Sequence, residues 1–173
     1  KSAFELFADR LIPEQKSSSQ RVRIGLAPYS SGVNVGSFAA SVTQNRSNDG
    51  CVTERKAAAI NDLPASTEPF LVKQDGKDDI DNSDGATPKN AFECPTAELV
   101  PLSDDKASLV QAVNGFTAQG WTAGHLGVQW AWNIVSDQWG STFGGNSAPD
   151  AYARVAQDKL IKAVVLMTDG SFN

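Results

Sequence analysis

The chain has one histidine, His125, and two cysteines, Cys51 and Cys94, and these limit the chemistry open to it. Any Ser-His-Asp or Cys-His mechanism would have to run through His125. No Gly-x-Ser-x-Gly elbow is present; the nearest string, Gly140-Ser-Thr-Phe-Gly144, puts a threonine at the nucleophile position. No His-Glu-x-x-His exists, and there is no second histidine to complete a metal pair. The chain therefore reads as non-catalytic. The two cysteines admit two readings. A redox or metal pair is one, but neither cysteine sits in a Cys-x-x-Cys and zinc would need further ligands. The reading we prefer is a structural disulfide that staples a long polar stretch and places the protein in an oxidising compartment.

Oxygen ligands are the remaining possibility. An open α/β sheet binds ligands beyond the carboxyl ends of its strands. The run Ile161-Lys-Ala-Val-Val-Leu-Met167 ends in Thr168-Asp169-Gly170, which puts Asp169 at such an edge. Gly120-Trp-Thr122-Ala-Gly124-His125 precedes a helical pattern, so the Thr122 hydroxyl can reach the same edge, near unpaired N–H groups. A hydroxyl and a carboxylate are hard ligands, suited to Mg²⁺, Mn²⁺ or Ca²⁺. From spacing alone the simpler reading is preferred: Thr122 caps its helix and Asp169 caps the following turn.

The elements that would carry these residues follow from periodicity. Residues 1–12 read as a helix, with Phe4, Phe7, Ala8 and Leu11 on one face and Pro13 ending it. Arg21-Val-Arg-Ile-Gly-Leu-Ala27 alternates as a strand, and Val33-Asn-Val35 can return after the Ser30-Ser-Gly32 turn as a short antiparallel edge. Between residues 44 and 96 periodicity disappears, and this stretch reads as an irregular insertion. Its acidic run, Lys77 to Gly85, fails the spacing of a calcium loop in either frame and reads as solvated. Residues 97–102 read as a strand. Ser103 is the expected N-cap of a helix bearing Leu109, Val113 and Phe116, with Gly120 just past its end. A further helix is expected from about Thr122 to Trp139, with Leu126, Trp130 and Ile134 in line. Residues 140–150 read as a loop and 151–159 as a short helix or irregular lead-in. The near-continuous apolar run at 161–167 reads as a parallel strand covered on both faces. Strands alternating with helices give an α/β layered fold.

Composition bounds the rest. At 173 residues, 40% hydrophobic and 20% charged, the chain is of one-domain size and can bury a full core. Its net charge of −5 excludes the basic face that nucleic-acid binding needs. No apolar run approaches the roughly 20 residues that span a bilayer. No secretory leader is read at Lys1-Ser-Ala-Phe-Glu5, and the missing initial Met points to an excised piece.

Five strings together resemble a von Willebrand factor A domain, and more specifically the TadG-like proteins of tight-adherence (Flp) pilus assembly. They are Arg21 to Gly36, Cys51-Val-Thr-Glu-Arg55, Leu102-Ser-Asp-Asp-Lys106, Gly120-Trp-Thr-Ala-Gly-His-Leu-Gly127 and Val165-Leu-Met-Thr-Asp-Gly170. The resemblance implies a three-layer open sheet with helices on both faces, over 1–173 as a single partial domain carrying 44–96 as a disulfide-stapled insertion. It implies a metal-ion-dependent adhesion site at the sheet edge, with Thr122 and Asp169 as ligands and Gly124, His125 and Gly170 as neighbours. The Asp-x-Ser-x-Ser string that completes such a site has no counterpart here. The central first strand and the later strands are therefore expected to be missing, and metal binding by these residues alone is expected to be weak. The function implied is non-catalytic adhesion or assembly, with a protein partner contributing a carboxylate to a divalent cation, Mg²⁺ first and Mn²⁺ or Ca²⁺ after it. The location implied is the bacterial cell envelope, periplasmic or at the surface, with an inner-membrane anchor upstream. A different reading is a carbohydrate-binding surface built on Trp121, Trp130, Trp132 and Trp139, against the plainer one that these rings pack a core.

Overall fold

The computed structural model describes residues 2–12, 21–46, 50–55, 60–72, 94–118, 120–157 and 159–168. Helix α1 (Ser2–Leu11) leads to strand β1 (Ile24–Leu26) and strand β2 (Val33–Asn34). A 3-10 turn (Gly36–Phe38) feeds the single-turn helix α2 (Ala39–Val42). Strands β3 (Cys51–Arg55), β4 (Phe70–Val72) and β5 (Val100–Ser103) follow, then helices α3 (Lys106–Asn114), α4 (Gly124–Val135) and α5 (Gly140–Phe143). The result is mixed α/β. Among the described residues the strands form two small antiparallel sheets, β1–β5 and β2–β3–β4. Ile24 faces Ser103 and Leu26 faces Val100 in the first; Val33 faces Val52 and Arg55 faces Phe70 in the second. The sheets touch where the Leu99 N–H donates to the Asn34 carbonyl at 2.7 Å.

Helix α4 is the organising element, and its sequence shows why. Leu126, Trp130 and Ile134 recur every four residues and are all buried, as the pattern predicts. Gly25 of β1 meets the Ile134 side chain so closely that any Cβ there would collide, so the strand needs a glycine where the helix crosses it. The helix stops at Val135 rather than running on to 139. Ser136 takes an extended backbone (ψ 132°) and its Oγ accepts from the Gln138 N–H at 3.2 Å, opening a new 3-10 turn at Asp137–Trp139.

Other boundaries also move. The N-cap of α3 is Asp105, whose Oδ1 accepts from the Ser108 N–H at 3.2 Å; Ser103 instead accepts from the Asp105 N–H at 3.0 Å. That helix closes at Gly115, not near Gly120. On α1 Ala8 is buried, as is Ile12 just past its end, while Phe7 and Leu11 are exposed. This helix packs on α3, with Lys106 paired to Asp9 at 3.0 Å. Residues 140–150, read as a loop, hold α5 and a 3-10 turn at Gly145–Ser147.

Two differences go deeper. The stretch 44–96 is not irregular throughout: β3 and β4 lie in it, and Cys51, Val52, Ala65 and Phe70 are core residues. Conversely, residues 161–167 are not a buried strand. Ile161 is 91% exposed and Met167 67% exposed, and no strand among the described residues pairs with them. An apolar run records a need for burial but does not supply the neighbour that provides it. The segment is held by its polar atoms instead. Lys162 Nζ donates to the carbonyls of Val135 and Asp150, and Tyr29 OH donates to the Met167 carbonyl at 3.3 Å.

Cys51 and Cys94 form a disulfide, with Cα atoms 5.7 Å apart and a sequence separation of 43. It ties the start of β3 to the chain entering β5, with Gly32 packed against both sulfurs. Closing a loop of this size stabilises by about 4 kcal/mol in the chain-entropy account. Replacing both cysteines by alanine should lower the urea-unfolding free energy by about 2–4 kcal/mol, and reduction of the native protein should do the same. An unchanged midpoint would show that the bridge constrains nothing.

Candidate functional site

The rim that the sequence singles out is the approach to α4. Gly120 has a φ of 73°, which lets the chain reverse before Trp121. The Ala123 N–H donates to the Ser30 carbonyl at 2.9 Å, anchoring the rim to the β1–β2 turn. Thr122 is half-buried, and its hydroxyl does not cap the helix: the N-cap is Ala123 and no side chain serves it. The simpler reading of Thr122 as a capping residue is therefore corrected. The N–H groups at this helix start are mostly paired: Ala123 donates to the Ser30 carbonyl, Gly124 to that of Thr122 and Leu126 to that of Ala123. Gly124 is buried at the helix start. Asp169 and Gly170 lie outside the described residues.

His125 has a definite partner. Its Nε2 lies 2.6 Å from Glu54 Oε1, and both side chains are about half exposed. The pair links the first turn of α4 to β3. Exposed ion pairs of this kind contribute at most about 1 kcal/mol, so it orients more than it stabilises.

Tyr29 joins the two halves of the rim. Its ring lies against Gly127, where any Cβ would collide with it, and its hydroxyl donates to the Met167 carbonyl. The segment ending at Thr168 thus passes within one tyrosine of the start of α4. Through Tyr29, Gly127 of α4 and Met167 are linked.

The described residues supply one of the two oxygen ligands predicted, Thr122, and hold no group of three or more His, Cys, Asp or Glu side chains able to bind a metal ion. Comparison of the chain with protein-family models, curated proteins and solved structures finds no match.

The tryptophans divide. Trp130 and Trp139 are fully buried, with centroids 5.4 Å apart, and Phe70 lies 4.5 Å from Trp130. These two belong to the core. Trp132 is half-buried and donates from Nε1 to Tyr152 OH at 3.1 Å, while Trp121 stands 48% exposed on the rim.

A buried polar cluster behind α4 was not read from the sequence. Arg55, 1% exposed, lies with its guanidinium carbon 4.6 Å from the Phe70 ring centroid and 5.5 Å from that of Trp139. It donates to the carbonyls of Leu63 (2.6 Å) and Glu68 (2.9 Å), and Glu68 Oε2 is 3.6 Å away. Burial lowers its pKa, against the opposing pull of Glu68 and Asp62; arginine nevertheless keeps its charge in proteins. Beside it Gln129 and Asn61 exchange hydrogen bonds at 2.6 and 3.1 Å, and Ser136 Oγ donates to Asp62 at 2.8 Å. The signal for this cluster was weak: one arginine closing the string Cys51-Val-Thr-Glu-Arg55.

Removing the cation should leave the Leu63 and Glu68 carbonyls without their donor and Glu68 without its counter-ion, although Asn61 Nδ2 still donates to Glu68 Oε2 at 3.1 Å. Arg55→Met is expected to lower stability by about 2–4 kcal/mol in urea unfolding, whereas Glu54→Ala, one residue away and facing water, should change it by less than about 0.5 kcal/mol. Equal effects would mean that the guanidinium is not the group that matters.

Proposed function

We propose that the chain is a non-catalytic adhesion or assembly module, a von Willebrand factor A-like domain of the TadG-like class that binds a protein partner through a divalent cation at the rim of α4. In this reading Thr122 and Asp169 are two of the cation's ligands, and the partner in pilus assembly or adhesion adds a carboxylate. The finer fold we propose with it is the three-layer open sheet with helices on both faces. The observation that carries the reading is the Thr122 hydroxyl. It serves no cap and stands just before α4, whose Gly127 packs on the Tyr29 ring that also reaches the Met167 carbonyl.

The disulfide favours an extracytoplasmic setting in the cell envelope, where such bonds persist. No helix among the described residues is long and apolar enough to cross a membrane; the anchor belongs to the proposal through a segment outside this sequence. The cation, with Mg²⁺ ahead of Mn²⁺ and Ca²⁺, would supply a Lewis-acidic centre that a partner carboxylate completes. These residues alone, with one described oxygen ligand, should bind it weakly.

A second reading keeps a carbohydrate-binding surface on 121–139. It is favoured only by Trp121, whose ring is free to stack, because Trp130 and Trp139 have no surface left to offer.

The test is capture of pilus components by the full-length protein in Mg²⁺ and after chelation. Capture should be lost on chelation and fall at least tenfold in Thr122→Ala, a loss of about 1.4 kcal/mol. Capture that survives both treatments would contradict the proposal. A shift of tryptophan fluorescence on adding glycans, abolished in Trp121→Ala, would favour the second reading.

A further inference from the structure

Away from the rim, a cleft of about 430 Å³ opens between α2, the turn at 64–66 and α5. This lies within the roughly 300–1,000 Å³ range of small-molecule sites. Among the described residues, no ionisable side chain lines it. The walls carry hydroxyls and amides: Ser41 and the Gln44–Asn45 pair on one side, Ser66 on the second, Ser141 and Thr142 on the third. Ala40, Pro64 and Ala65 add an apolar floor.

The polar groups differ in how they are engaged. Gln44 Nε2 donates to the carbonyls of Ala65 (3.0 Å) and Ser66 (3.2 Å), which fixes one wall to the other and leaves its Oε1 as an acceptor. Gln44 and Asn45 take positive φ angles of 53° and 63°, closing α2, with the Asn45 N–H bonded to the Ala40 carbonyl at 2.7 Å. Glycine would occupy such positions at lower cost. The chain instead places two amide side chains at the mouth of the cleft. Ser41 Oγ donates to the Phe38 carbonyl at 2.8 Å and keeps its lone pairs. The side chains of Asn45, Ser66, Ser141 and Thr142 have no partner among the described residues.

We infer that this cleft is a binding site for a neutral saccharide of one or two rings. Sugar hydroxyls both donate and accept, matching serine and threonine hydroxyls and the two faces of an amide, and the C–H face of a pyranose suits the alanine and proline floor. Anionic ligands find no cation among the described lining residues, and the chain's net charge of −5 opposes them. A peptide bound by strand addition would need an exposed sheet edge, and the cleft is built from helices and turns.

The experiment is an amide chemical-shift titration of the ¹⁵N-labelled protein with cellobiose, maltose, lactose and chitobiose, with tetra-alanine and glucuronic acid as comparisons. At least one neutral disaccharide should give saturable shifts at 40–45, 64–66 and 141–142, with roughly millimolar affinity. The double variant Ser141→Ala/Thr142→Val should keep its dispersed spectrum and bind about tenfold more weakly, for two hydrogen bonds lost. No saturable shift with any of the four sugars, shifts confined to Trp121 and its neighbours, stronger binding of tetra-alanine or glucuronic acid, or undiminished binding by the double variant would overturn the assignment. A variant that loses dispersion is replaced by Ser66→Ala, read against the same threshold.

Discussion

A buried guanidinium holds the two parts of this molecule together. Arg55 comes from β3, the ring beneath it from β4, and the second ring from the turn after α4. The carbonyls it binds belong to the chain between β3 and β4. A charge so deeply placed is tolerated only where its hydrogen bonds are made and its counter-ion is close. That requirement fixes the path of residues 61–70 across the back of α4. The disulfide fixes the other end of the same stretch, at Cys94. What the polar composition of 44–96 presents as a decoration is, over its described parts, one wall of the core.

How much of this was legible depends on how each element announces itself. Helix α4 was plain, because Leu126, Trp130 and Ile134 repeat at helical spacing and the core lies on one side. The disulfide was legible from two cysteines bracketing a polar stretch. Strands β3 and β4 were not, since three to five residues hold too few alternations to register, and β3 has a buried threonine and arginine among its apolar residues. Arg55 itself reads as a surface residue until the rings that enclose it are placed. The run at 161–167 misled for the opposite reason: its pattern states burial unambiguously, but burial needs a partner strand that the described residues do not provide. The place of Thr122 at a helix start was legible; its freedom from capping was not, because the cap geometry depends on the φ and ψ of Ala123.

The rim and the cleft are built on different parts of the same frame. The rim depends on the start of α4, where Tyr29 packs on Gly127 and reaches Met167, so its geometry follows from β1 and its crossing glycine. The cleft depends on α2, α5 and the 64–66 turn; Phe143 of α5 meets Phe38 edge-on (5.2 Å) and stacks on Trp139 (6.0 Å). Both sit on the aromatic core that Arg55 closes. A change in that core should be felt at each, although they share no residue.

Native-state hydrogen exchange tests that dependence most directly. The account predicts that the slowest amides of β3, among residues 51–55, and of α4, among 126–134, exchange with the same opening free energy and the same denaturant dependence, as one cooperative unit. If β3 instead opened at a clearly lower free energy while α4 stayed protected, the stretch around Arg55 would be a separable appendage, and the account of a shared core would be wrong.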